Sequence, residues 1–135
     1  MSMDINEFFD RDQFAKHCGI ELLEITPGGA KTKMDVRELH LNGLRTVHGG
    51  AIFTLADFTF AAACNSHGTV AVALNVNISF VKATGSGTLY AEAREVSVSP
   101  KIGTYEIKVT NGSGDLIATF QGLAYRKKEK LSDLA

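Results

Sequence analysis

One carboxylate in this chain stands where its charge is costly to keep. Asp57 is the only charged residue between Gly49 and Ser66. The apolar residues of that run (Ala51, Ile52, Phe53, Leu55, Ala56, Phe58, Phe60, Ala61, Ala62, Ala63) cover every face of a helix. The residues one turn away from Asp57 are Phe53, Thr54, Phe60 and Ala61, and none carries a compensating charge. A carboxylate so placed must be solvated at a cavity or hydrogen-bonded, and burial raises its pKa toward the range useful to a general base. An aspartate bonded to backbone at a subunit interface would fit the same pattern, so this residue alone leaves both readings open.

A second feature precedes the helix. His48-Gly49-Gly50 puts two glycines where helix propensity is wasted, which suits close approach of another group to the backbone. The first amides of a helix have no internal partner and form the positive end of its dipole. Gly49 and Gly50 are therefore natural donors to a carbonyl oxygen gaining negative charge. Alone, the tripeptide would equally serve as a tight turn into a packed helix. Asn42-Gly43, a turn-prone pair a few residues upstream, adds a side-chain amide nearby.

Taken together, the two features constrain each other. Eight residues of helix separate Gly49 from Asp57, about 12 Å along the axis, whereas a general base must come within about 3 Å of the group it serves. One helix cannot bring its own Asp57 to a carbonyl held at its own Gly49. The two cooperate only if they come from different subunits, which makes a homodimer part of the active site.

The elements that must position these residues follow from pattern. Asp4 to His17 has the spacing of a short helix (Ile5, Phe8, Phe9, Phe14) stopped by Gly19. Ile20–Ile25 and Lys31–Val36 read as hairpin partners around Pro27-Gly28-Gly29. Arg37–Val47 has no period and reads as a loop. The central helix of about 17 residues ends at Asn65-Ser66-His67-Gly68, with a glycine available for a left-handed cap. Four strand-like runs follow: Thr69–Val81, Leu89–Val98, Thr104–Thr110 and, after the hairpin signal Asn111-Gly112-Ser113-Gly114, Leu116–Tyr125. One buried helix followed by a meander of long strands predicts an α+β fold, an antiparallel sheet wrapped around a helix. Residues 1–135 read as a single domain, with an N-terminal helix within residues 1–18 and a frayed tail over residues 127–135.

A net charge of -1 with 21% charged residues argues against nucleic acid as a partner. No apolar stretch is long enough to span a membrane, and the N-terminus lacks a signal sequence, so a cytoplasmic protein is expected. Cys18 and Cys64 read as free buried thiols. His40, His48 and His67 lack metal-ligand spacing, so no metal is expected. There is no Gly-x-Ser-x-Gly nucleophile turn and no phosphate-binding glycine loop.

Leu41-Asn42-Gly43, the run His48-Gly49-Gly50-Ala51-Ile52-Phe53-Thr54-Leu55-Ala56-Asp57, and Ala62-Ala63-Cys64-Asn65-Ser66 resemble the signature of the phenylacetate-degradation (PaaI-like) hotdog thioesterases. The likeness covers nearly the whole chain, through Ala15-Lys16, Gly19-Ile20, Gly103-Thr104-Tyr105 and Phe120-Gln121-Gly122. It implies a hotdog subunit that dimerises, usually pairs again into a homotetramer, and hydrolyses acyl- or aryl-coenzyme A thioesters without metal or other cofactor. On this pattern Asp57 activates water or attacks directly, the Gly49 amide polarises the thioester carbonyl, Asn42 helps hold that oxygen, and His48 organises the loop.

Some relatives place a serine or threonine on the strand after the helix to hold the water. Ala73 stands there in this chain, leaving that role to Asn75 or Asn77 or to no residue. Gly50, Phe53 and Phe80 are expected at the substrate, with Phe58 and Phe60 as further candidate walls. Lys82 and Lys101, with Arg126, are candidates for the coenzyme A phosphates. A non-catalytic acyl-coenzyme A sensor is the alternative, since fold alone does not fix function, but it would not need Asp57. A hotdog dehydratase fits less well, because no histidine follows Asp57 within a turn.

Overall fold

The computed structural model describes residues 4–134. Two short helices, α1 (Ile5–Asp10) and α2 (Gln13–Cys18), lead into a hairpin of β1 (Ile20–Thr26) and β2 (Gly29–Asp35). A loop with a single 3-10 turn then delivers the chain to α3 (Gly49–Cys64). The strands β3 (Thr69–Phe80), β4 (Thr88–Val98), β5 (Ile102–Asn111) and β6 (Leu116–Lys130) complete one antiparallel sheet in the order β1-β2-β4-β5-β6-β3.

Alternation along the strands decides which face holds the helix. Ala30, Thr32 and Met34 of β2, Leu89, Ala91 and Ala93 of β4, Tyr105, Ile107 and Val109 of β5, and Phe120 and Ala124 of β6 are all buried, and the core forms between them and α3. The fit is close. A Cβ at Gly122 would sit 2.6 Å from the Phe60 ring, so that ring, edge-on to Tyr105 and tilted against Phe120 with centroids 5.7 Å apart, packs there only because position 122 has no side chain. The expected α+β sheet around a central helix is the architecture found.

Two terminal expectations need correction. The N-terminal helix is two helices, because Asp12 leaves the helical path and caps α2 by accepting the Ala15 N–H at 3.0 Å; residues 1–3 lie outside the described residues. The tail expected to fray instead extends β6 to Lys130, paired across to Thr69 of β3. A 3-10 turn at Leu131–Asp133 follows, with Leu131 buried and its N–H donated to the Gly68 carbonyl at 2.8 Å. Composition suggests a polar tail; pairing to a long neighbouring strand overrides it. Ala135 lies outside the described residues.

The helix also differs from expectation in one respect. Ile52, Leu55, Ala56, Phe58, Thr59, Phe60, Ala62, Ala63 and Cys64 are buried, but Gly50, Phe53, Thr54, Asp57 and Ala61 are not. At three- and four-residue spacing these five form one stripe, and the single chain covers it only in part. The sequence pattern cannot tell a face covered by its own sheet from a face awaiting a cover.

The two sheet edges contrast. Edge strand β1 carries Glu21 and Glu24, paired with Lys33 and Lys31 of β2, and is interrupted by a bulge between Leu22 and Glu24, the usual ways of blunting an edge. Edge strand β3 is 12 residues long without a charge, and Val72, Leu74 and Phe80 on it are exposed.

Candidate active site

The N-terminal end of α3 is assembled by the preceding loop. A bridge between Leu41 and Val47 folds residues 41–47 back on themselves. The turn is set by Asn42, whose Oδ1 accepts the N–H of Leu44 at 2.9 Å, the N–H of Thr46 at 3.2 Å and the Thr46 hydroxyl at 3.2 Å. Two backbone donors on one atom fix which end of the amide is oxygen. The Nδ2 donor is left facing away from this network, and among the described residues it has no acceptor. Arg45 closes the turn in the left-handed region at φ 62, held by paired hydrogen bonds from its guanidinium to Glu38. That pairing holds the Glu38 carboxyl below the usual carboxylate range.

His48 caps α3 with its ring: Nδ1 accepts the Gly50 N–H at 2.7 Å. This corrects one expectation. Gly50 is not a free donor, because its amide is already spent on the cap. Gly49 is different, since among the described residues its N–H finds no acceptor. It opens the helix, where the dipole adds to its donor strength. Phe80, at the end of β3 and half exposed, lies across it. A Cβ at position 49 would meet the Phe80 ring at 3.1 Å, so glycine is what lets the ring and the open amide share this spot.

Asp57 sits two turns further along the open stripe, half-buried and with no hydrogen-bond partner among the described residues. Burial pushes its carboxyl above the usual carboxylate range, and the Asp12 carboxylate adds to the shift. A group so placed is a poorer permanent anion and a better proton acceptor than an exposed carboxylate. Phe53, one turn before it on the same stripe, leans on Phe120 with ring centroids 5.6 Å apart.

The other expected residues separate. Asn75 follows a bulge at Ala73/Asn75 and is paired with Leu123. It lines a groove on the sheet face turned away from α3, with Asn77, Thr104, Glu106 and Gln121. It is therefore not brought to Gly49 or Asp57, and neither is Asn77. Ala73, paired with Ala124, is on the helix side. Lys82 does lie near Phe80, but its ammonium is paired with Asp115 at 2.8 Å. Lys101 is in the β4–β5 turn, where its carbonyl accepts the Arg126 N–H at 2.7 Å. Lys82 donates its N–H to the Ile117 carbonyl, so the two lysines are nine residues of β6 apart, roughly 30 Å. They cannot meet at one phosphate group within one chain.

Two residues near the site were not singled out from the sequence. Asp12 falls inside the single helix expected over residues 4–17, and nothing local shows that the fold brings it to Asp57. His40 is buried and tied into the loop that carries Asn42 and His48.

Residues 44–118 match the model of the thioesterase superfamily. The chain is 37% identical over 119 residues to the acyl-coenzyme A thioesterase PaaI of Escherichia coli K12, covering 87% of this chain and 85% of that protein. The structure of E. coli PaaI, from its phenylacetic acid degradation operon, superposes with a TM-score of 0.90 at 34% identity, covering 93% of this chain and 91% of the other. A variant of the phenylacetic acid degradation protein PaaI from Thermus thermophilus gives a TM-score of 0.82 at 37% identity over 86% of this chain and 100% of its own. Among the described residues, no helix is long and apolar enough to cross a membrane.

Proposed function

The chain belongs to the thioesterase superfamily as a PaaI-like, hotdog-fold thioester hydrolase, and from that premise we propose that it hydrolyses aryl- or medium-chain acyl-coenzyme A at two sites shared across a homodimer. In each site Gly49 and Asn42 come from one subunit and Asp57 from the other. The observation that carries this reading is the open stripe of α3. It holds an unpartnered, half-buried carboxylate about 12 Å from the free amide of its own helix, too far for one site and well spaced for two.

The second chain has a place to dock. Strand β3 is a long, uncharged edge with exposed apolar side chains beside that stripe, and its unpaired backbone groups can continue the sheet into a second copy. Two-fold symmetry makes such a contact self-complementary and gives two equal sites. Further pairing of dimers into a tetramer belongs to the same reading.

In the reaction, the thioester carbonyl oxygen accepts from the Gly49 N–H and from Asn42 Nδ2, donors already held in place before the charge develops. Asp57, its pKa raised, takes a proton from a water molecule as that water adds to the carbonyl carbon. The tetrahedral intermediate collapses by breaking the carbon–sulfur bond, and the thiolate receives the proton from the Asp57 carboxylic acid. If Asp57 instead adds directly, the carbon–sulfur bond breaks and the coenzyme A thiolate leaves as a mixed anhydride forms; water then cleaves the anhydride, and a proton it releases goes to the thiolate. A single turnover in 18O-water that leaves label in the Asp57 carboxylate identifies the second route, with water having added to the Asp57 carbonyl carbon of the anhydride.

The test is a hydrolysis screen of purified protein on aryl-, short-, medium- and long-chain acyl-coenzyme A, with Asp57→Ala as control. Turnover of aryl or medium-chain substrates that disappears in the variant is expected. Tight binding without turnover in either protein would contradict the reading and favour a sensor.

A further inference from the structure

His40 is an unusual residue to find at 2% exposure in this loop. A buried imidazole is costly unless both nitrogens are satisfied, and here both are bonded to backbone from different parts of the chain. Nδ1 accepts the Arg37 N–H at 2.9 Å. A nitrogen that accepts carries no proton, so the ring proton is on Nε2, which donates to the Cys18 carbonyl at 2.7 Å. Cys18 is the last residue of α2, and its carbonyl is one that a helix end leaves unpaired. The ring therefore bridges 22 residues of sequence, from the end of α2 to the start of the loop.

The backbone of His40 passes this constraint on. Its carbonyl accepts the His48 N–H at 2.7 Å, while Val47 donates its N–H to Thr84 at 2.8 Å. His48 is thus held by its own N–H on one side, and its ring grips the Gly50 N–H on the other. The Gly49 amide lies between those two bonds. We infer that His40 is a positioning residue for the reaction: by fixing the His48 backbone to the end of α2 it aims the Gly49 N–H at the substrate oxygen. This rests on the reading in which Gly49 serves the oxyanion. A donor aimed at the developing charge acts more on the transition state than on bound substrate, so the imidazole supports kcat and leaves KM nearly alone.

Two conservative variants divide the two bonds. Glutamine at position 40 carries an amide that reaches as Nε2–H does, toward Cys18. Asparagine carries an oxygen that reaches as Nδ1 does, toward Arg37. The Arg37 contact is local, whereas the Cys18 contact is the one that anchors the loop to another element. The order of kcat expected is wild type, then His40→Gln, then His40→Asn, with His40→Asn reduced at least about tenfold, KM within about twofold of wild type, and both variants folded by circular dichroism and melting.

The inference is overturned if folded His40→Asn keeps wild-type kcat, if KM alone changes, or if His40→Asn outperforms His40→Gln. It is equally overturned if 15N NMR of the wild-type protein finds the His40 proton on Nδ1. The underlying site assignment fails separately, and is recognised by Asp57→Ala and Asn42→Ala retaining full activity.

Discussion

The C-terminal end of α3 is closed by side chains, whereas its N-terminal end has the His48 ring on the Gly50 N–H and leaves the Gly49 N–H open. At the closed end, buried Asn65 donates Nδ2 to the carbonyls of Ala61 at 2.9 Å and Ala71 at 3.2 Å, and its Oδ1 accepts the Ala71 N–H at 2.8 Å. Ser66 donates its hydroxyl to the Ala63 carbonyl and accepts the Gly28 N–H, tying the helix end to the β1–β2 turn. Just beyond, Glu95 accepts from both His67 and Tyr105. Burial opposes the Glu95 charge, but those hydrogen bonds and the nearby Arg126 outweigh it and hold the carboxyl below its usual range. At the open end, one amide and one side-chain NH2 are aimed outward, and a carboxylate with a raised pKa stands two turns away. A helix that only had to pack would be finished alike at both ends. Under the proposed function the difference separates a stabilising end from a working one, and substitutions at the two should therefore damage different properties.

The largest effect expected is from Asp57→Ala: kcat should fall on the order of a thousandfold while the melting temperature holds or rises. The sign follows from the raised pKa. A carboxyl whose folded pKa lies above its unfolded value contributes stability that is present below the unfolded pKa and lost as pH rises through the folded one. At neutral pH the Asp57 charge is thus a burden on the fold, and thermal melts of Asp57→Asn from pH 4 to pH 8 should show the gain only at the upper end. The same shift places the acid limb of kcat above the ordinary carboxylate range. Asp12→Asn should move that limb to lower pH, as a pH–rate profile would record.

Next in size is Asn42→Ala, which removes the proposed Nδ2 oxyanion donor together with the Oδ1 acceptor that sets the 42–46 turn, and should cost about a hundredfold or more in kcat with little change in KM. The opposite pattern is expected at the other end of the helix. Asn65→Ala leaves the buried Ala71 N–H without its acceptor and removes the side-chain donor to the Ala71 and Ala61 carbonyls, although Ala61 keeps the backbone N–H of residue 65; this should cost about 1–3 kcal/mol, several degrees of melting temperature, with kcat per folded molecule unchanged. If Asn65→Ala lowered kcat as much as Asn42→Ala does, the contrast between the ends would fail.

How much of this is legible in the sequence depends on whether the determining contact is local. The central helix, its glycine entrance and its lone carboxylate are local patterns, and all are readable. So is the distance between Gly49 and Asp57, since helical rise is constant. The side of the sheet reached by Asn75 is not readable, because the bulge at Ala73/Asn75 shifts the alternation by one residue and bulges leave little trace in composition. The cap that removes Gly50 from the donor pool depends on one ring orientation of His48. The pairing of Lys82 with Asp115 joins residues 33 positions apart. Asp12 and His40 are long-range partners of the site whose own neighbourhoods in the sequence look ordinary.

The most direct test of the shared site combines two inactive chains. Asp57→Asn retains the Gly49 and Asn42 donors, and Asn42→Ala retains the carboxylate. When the two are co-expressed in equal amounts and assort freely, half of the dimers are mixed and each mixed dimer has one intact site. The mixture should then recover about a quarter of wild-type activity, against nearly none for either parent. If the mixed dimers form but remain as inactive as the parents, Asp57 and the Gly49 end of α3 do not meet across subunits, and the account is wrong at its centre.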